Sequence, residues 1–298
     1  MKNILMLISG LIGFTALNAQ DPSETDTLWK YHGVTSLNIS QISLSNWAAG
    51  GENSVSGNAL VQISADYDNG TMNWDNDLIM GFGLIRQGND PTRKSDDKFD
   101  ISSKFGFRAS KNWFYSGLVG FRTQFTEGYD RPGDVDRIKI SNWLAPGYIN
   151  VSAGMDFKPN EEVSLLIAPL TGKITFVRDK ELSATGSFGL AKGETAKGEF
   201  GSYIKFAFKK EVLKHIFLDT KVDFFSNYLE NPQYVDINWD LLLTFKVNEY
   251  ISASLVTQLI YDRDIEFGFD TSGDGAPDTY EPRVQLKELF GIGFSYTF

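Results

Sequence analysis

Apolar and polar residues alternate one for one along most of the chain. In SVSGNALVQISADY, Val55, Gly57, Ala59, Val61, Ile63, Ala65 and Tyr67 share one face, with Asn58, Gln62, Ser64 and Asp66 on the other. The DNG that follows is hairpin-turn chemistry. TMNWDNDLIMGFGLI then sets Met72, Trp74, Leu78, Met80, Phe82 and Leu84 against Asn73, Asp75 and Asp77. A period of two marks a strand with two unlike faces. Twelve such segments start near residues 34, 54, 71, 97, 113, 142, 162, 200, 214, 234, 250 and 284. The least regular is SLLIAPLTGKITFV, where Pro169 and Gly172 predict a bulge.

The connections alternate in length. DNG, SKN, KPNE, KKEVLK and KVNEY are short, whereas 47–53, 88–96, 129–140, 179–199, 230–233 and 264–283 are generally longer and polar. Trp74, Trp113, Tyr250 and Phe298 fall at the short-turn ends of strands, and Trp47, Trp143, Tyr228 and Tyr261 near the long-loop ends. Two aromatic girdles around an apolar band, with short turns on one side and long loops on the other, predict an all-β transmembrane up-and-down antiparallel β-barrel of about twelve strands. In lipid, a closed barrel pairs every backbone polar group without leaving an edge. Its apolar face then looks out and its polar face in. An even strand count places both chain ends on the periplasmic side.

The chain ends agree with export. Lys2 followed by ILMLISGLIGF and Ala19 reads as a signal peptide over residues 1–19. Residues 20–30 read as a short periplasmic segment and 31–298 as the barrel. No later apolar run is long enough for a membrane helix. Loss of Lys2 with the leader leaves 27 basic against 38 acidic residues, a net charge of −11. That acidity argues against nucleic acid as a partner. The absence of Cys excludes disulfides, thiolate zinc sites and a Cys nucleophile.

In FGIGFSYTF, Phe290, Ile292, Phe294, Tyr296 and Phe298 alternate up to a terminal Phe. The segment resembles the final strand that the barrel assembly machinery of the outer membrane recognises, with Phe294, Tyr296 and Phe298 as its insertion signal. LSNWAAGGENS, APLTGKITFV, NYLENPQYVDINWD and VQLKELFGIGF together resemble an uncharacterised family of outer-membrane barrels of Bacteroidota, catalogued as a domain of unknown function. The resemblance implies a Gram-negative outer membrane and lipid surroundings. It implies no activity.

Candidate chemistry follows from strand parity. Asp75, Asp77, Asp100, Asp219, Asp223, Asp236 and Asp240 should point into the lumen, with Lys104, Arg108, Arg122, Lys205, Lys221 and Lys287. Such a lining suits either a polar pore or a lumen filled by ion pairs. The expected function is passage or binding of small polar solutes. Alternatives are a non-conducting scaffold within an envelope complex and a membrane-embedded hydrolase. The chain has only two His, His32 and His215, both read as surface or rim, so no catalytic residue is assigned. Ala48 to Gly51 in NWAAGGENS allow a tight turn. The Gly- and Ala-rich 179–199 segment reads as mobile and solvated.

One motif stands apart. In DTSGDGAPDTYE, Asp270, Ser272, Asp274, Ala276 (through its carbonyl), Asp278 and Glu281 occupy the ligand offsets of an EF-hand loop, with Gly275 at the sharp turn. Strands rather than helices flank it. It is read either as a weak Ca2+ site in the last extracellular loop or as a polar loop.

Overall fold

The computed structural model describes residues 28–45, 51–130, 132–273 and 277–297. The leader, Trp47, Asp274, Ala276 and Phe298 lie outside the described residues. The strands in chain order are β1 (Trp29–Ile42), β2 (Ser54–Asp68), β3 (Met72–Gln87), β4 (Arg93–Arg108), β5 (Trp113–Thr123), β6 (Gly128–Tyr129), β7 (Lys139–Ser141), β8 (Gly147–Phe157), β9 (Val163–Phe176), β10 (Ala196–Leu213), β11 (Ile216–Asn227), β12 (Val235–Lys246), β13 (Ile251–Tyr261), β14 (Glu266–Phe269), β15 (Thr279–Pro282) and β16 (Gln285–Thr297). A short helix, α1, covers Lys180–Thr185. Twelve strands pair antiparallel with their chain neighbours, and β16 returns to β1 to close the ring. The pairs β6–β7 and β14–β15 form two small hairpins on long loops. The all-β, twelve-strand, up-and-down barrel expected from the alternation is therefore the fold.

The faces of β5 show the inversion of globular patterning. Phe114, Ser116 and Leu118 are buried inside, while Tyr115 and Val119 are exposed on the outer wall. Exposed Trp74, Ile101, Phe105, Val151, Ile167 and Ile204 continue this apolar outer belt around other strands. At the turn end Trp29 packs with Tyr67 and Trp74, and Trp113 with Phe157. At the loop end Phe99 meets Phe121, Phe125 and Trp143. The two ends thus carry aromatic clusters, tilted pairs at the turn end and edge contacts at the loop end.

Boundaries differ where backbone chemistry overrides alternation. β1 begins at Trp29, before the expected boundary at 31. The strand expected from 142 begins instead at Gly147. Asn142 and Ala145 exchange backbone hydrogen bonds in a tight turn there, and Pro146 has no N–H to donate to a ladder. The 88–96 connection shrinks because β4 starts at Arg93. The bulge forms as expected: register shifts on both sides of β9, beside Gly154 of β8 and between Gly201 and Tyr203 of β10, accommodate Pro169.

The largest correction concerns 179–199. This segment, expected to be mobile and solvated, holds a short helix and a small buried core beside exposed stretches such as 191–196. Asp179 caps α1 by accepting from the amides of Glu181 and Leu182, and Gly186 ends it in the left-handed region at φ 75°. Leu182 and Leu190 bury against Ala145 and Val177, with Phe188 packed alongside. The Gly- and Ala-rich composition hides these three apolar side chains because their spacing follows neither a helical nor a strand period.

A Cβ at Gly201 would overlap the Ser226 carbonyl oxygen, whereas Gly172 has open space. Gly201→Val should cost at least about 1–3 kcal/mol through overpacking and abolish the heat-modifiable band of the closed barrel on gels. Gly172→Ala should leave that band unchanged.

Candidate functional site: the charged lumen

Strand parity aims a charged or polar residue inward at nearly every level of the barrel, and the side chains meet across it. Lys98 Nζ on β4 lies 2.7 Å from Asp240 on β12. Lys221 on β11 lies 3.0 Å from Asp77 on β3, and Lys209 on β10 lies 2.7 Å from Asp66 on β2. In the ring order each of these strand pairs stands six places apart out of twelve, on opposite walls. Gln62 also donates across the lumen to Asp219 at 2.5 Å. Arg122 is a hub. Its Nε donates to Asp100 at 2.8 Å and its Nη1 to Asn238 at 3.0 Å, and Asp223 and Asp240 lie 3.9 Å from Nη2.

Two further clusters flank this brace. Toward the turn end, Lys104 reaches Asp156 at 2.5 Å and Asp75 at 3.3 Å, and Lys158 joins Asp75 at 2.9 Å. Toward the loop end, Lys173 meets Asp236 at 2.8 Å, Glu199 at 3.3 Å and Asp262 at 3.7 Å. Lys287 pairs with Asp96 at 2.7 Å. Leu118, Leu166, Ala168, Tyr203 and Phe225 form a buried apolar cluster inside the barrel, so the lumen is packed as well as braced. Cavities remain among the described residues, one of about 690 Å³ at the turn end and one of about 230 Å³ toward the loops. Ser102, Leu118 and Lys205 line both and mark the partition between them. Among the described residues Lys205 holds no ion pair.

Of the residues expected in the lumen, Asp75, Asp77, Asp100, Lys104, Arg122, Lys221, Asp223, Asp236, Asp240 and Lys287 enter these ion pairs. Asp219 takes the Gln62 bond and Lys205 lines the partition. Arg108 sits at the rim, donating to the Gly70 and Lys111 carbonyls, with its guanidinium 4.6 Å above the Phe114 ring. Sequence reasoning missed Asp66, Lys98, Asp156, Lys158, Lys173 and Lys209. Lys98 shares parity with Asp100 and could have been found. Lys173 could not, because the β9 bulge resets parity before it.

The EF-hand-like loop uses its described carboxylates internally. Asp278 accepts from the amides of Thr271 at 3.0 Å and Ser272 at 2.9 Å, and from the hydroxyls of Thr271 and Thr279. The Thr271 amide leads these bonds in holding the carboxyl down at about 2. Asp270 accepts from Ser272 Oγ and the Gly273 amide, and Glu281 pairs with Arg283 at 3.0 Å. Among the described residues no group of three or more His, Asp and Glu is arranged to hold a metal ion. Phe294 and Tyr296 of the expected insertion signal stand exposed on the outer wall. His32 lines the turn-end cavity, and His215 forms the β10–β11 turn at φ 66°.

The loop-end cap is tied to the barrel through Asp179. Besides capping α1 it accepts from Asn142 at 2.8 Å and Lys139 at 3.1 Å. Burial acts to raise its carboxyl, but the Asn142, Leu182 and Lys139 hydrogen bonds outweigh that and bring it down to about 2. A depressed carboxyl stabilises the fold above its unfolded value and loses that contribution as pH falls through the folded one. Amide-exchange protection of 180–190 should therefore hold from pH 7 to about 4 and fall between about 4 and 2. Asp179→Asn should remove most of this pH dependence.

Removing one member of a buried pair strands the other charge. Lys98→Met should lower barrel stability in urea by about 3–5 kcal/mol. Lys98→Met with Asp240→Leu should recover most of that loss.

Comparison with known proteins adds fold-level context. The family described as "Protein of unknown function (DUF3078)" matches residues 39–129, just under a third of the chain. No curated protein matches. Among solved structures, the translocator domain of the autotransporter NalP from Neisseria meningitidis is similar at TM-score 0.40 and 10% identity, covering 93% of this chain and 90% of that one. OmpT, an outer membrane protein of Vibrio cholerae, is similar at TM-score 0.30 and 9% identity, covering 91% and 97%. The P. putida toluene transporter TodX is similar at TM-score 0.30 and 8% identity, covering 91% and 90%.

Proposed function

We propose that this chain is an integral barrel of a Gram-negative outer membrane that binds small polar solutes within a closed lumen and does not pass them freely. The observation that carries this reading is the set of ion pairs joining opposite walls, Lys98 to Asp240, Lys221 to Asp77 and Lys209 to Asp66. Eight-strand barrels are filled by side chains and barrels of sixteen or more leave an aqueous channel. A twelve-strand ring braced in this way sits with the filled class. The turn-end cavity of about 690 Å³, walled by charges of both signs, is the solute site of this reading.

The apolar outer belt supports lipid as the surroundings. The alternation at Phe294 and Tyr296 supports export to the periplasm and transient engagement of the barrel assembly machinery. A Bacteroidota source belongs to the same reading. No catalysis is assigned. A second reading, a non-conducting scaffold in an envelope assembly, draws on the folded loop-end cap, which presents a shaped outer surface.

Planar-bilayer recording tests the proposal. The purified protein should insert without stepwise conductance. Lys98→Met/Asp240→Leu combined with Arg122→Ala should produce discrete steps. Large, steady steps from the parent protein would make it a channel and sink the closed-lumen reading.

A further inference from the structure

The barrel wall is unevenly paired. Among the described residues the β1–β16 seam carries five pairs, from Val34↔Thr297 to Asn38↔Gly293, at the turn end of β16. By contrast β1 pairs with β2 from Trp29 to Ile42, and β16 pairs with β13 from Phe294 to Gln285. Both seam strands therefore continue toward the loop end, each held by its other neighbour. Between themselves, Ile39–Ile42 and Gln285–Ile292 make no ladder among the described residues. The zipped part ends at a fixed point. The Asn38 side chain lies over Gly291 and Gly293, in space a Cβ at either position would need.

A cavity lies beside the seam on its β16 side. The smaller, loop-side cavity is lined by Gln285 at the free end of β16 and by Gln258 and Ile260 of the adjoining β13. On its far walls Leu118, Phe121, Phe225 and Phe188 mix apolar surface with the charged groups. Phe188 belongs to the packed loop-end cap. Along the barrel axis this cavity thus faces the cap at one end and the cross-lumen brace at the other. The route that the strand pairing leaves is sideways.

We infer that the loop-end half of the β1–β16 seam is a lateral port that joins the loop-side cavity to the membrane and admits bilayer lipid. The port rests on the reading of the chain as a membrane-spanning barrel. Among the described residues the backbone groups of its two lips join no ladder across the seam, and hydrocarbon offers them no partner. The polar part of an entering lipid supplies them, and the apolar lips accept its chains.

The chain has no Cys, so single and paired labels can be placed cleanly. Continuing the register from Asn38↔Gly293 sets Gln41 opposite Phe290. In vesicles, nitroxides at Leu37→Cys/Phe294→Cys should show strong dipolar broadening, and nitroxides at Gln41→Cys/Phe290→Cys should show a clear loss of it. Equal broadening for both pairs means a fully zipped wall and overturns the port. In parallel, a fluorophore on inward-facing Gln285→Cys should be quenched by chain-labelled lipid nearly as strongly as one on outward-facing Phe105→Cys. Quenching at Phe105 with none at Gln285 rejects the port and keeps the membrane-spanning barrel. Quenching at neither position rejects both. Folding of each variant is checked by its heat-modifiable band.

Discussion

The fold depends on one requirement: every peptide group inside a sheet whose outer face is apolar must find its hydrogen-bond partner within the sheet. Water is not there to substitute, and an unmade bond costs the full desolvation of the group. Antiparallel closure of twelve strands answers that requirement around most of the ring. Closure also dictates parity, since successive side chains must alternate between the wall's two sides. The inward charges follow from this. A chain that turns its apolar residues outward has only its polar ones left for the interior.

The interior then faces the opposite problem. Charges removed from bulk water are costly unless paired, and pairing barely repays the desolvation. The lumen resolves this by drawing opposite walls into direct contact, as in Lys98 with Asp240 and Lys221 with Asp77. A small apolar cluster of Leu118, Leu166, Ala168, Tyr203 and Phe225 fills the space beside them. The ion pairs specify which walls meet and at what level, whereas the apolar cluster supplies the packing. The β9 bulge serves the same end. Gly154 lets β8 pass close to it, and the register resumes beyond.

The regions that escape alternation are where structure and sequence part. The cap built from α1, Leu190 and Val177 is held by a small non-periodic core and by Asp179, whose bonds reach residues from Lys139 to Leu182. Composition suggested a mobile, solvated loop because Gly, Ala, Lys and Glu dominate the segment. The acidic loop 270–281 shows the reverse case. Its spacing matched a calcium loop, yet Asp278 and Asp270 turn back onto their own backbone, and Glu281 lies on a strand beside Arg283.

Local alternation by itself determined that this chain forms strands, how many close the ring and, away from the β9 bulge, which face of each strand looks inward. These follow from a period of two, which acts between immediate neighbours and needs no knowledge of the far wall. Only the tertiary structure decided which inward charges meet, because Lys98 and Asp240 are 142 positions apart and their approach depends on closure of the whole ring. The same holds for the partition between the turn-end and loop-side cavities. It holds too for the seam, where the last strand must find the first and the number of pairs they form is set by how every intervening strand is staggered.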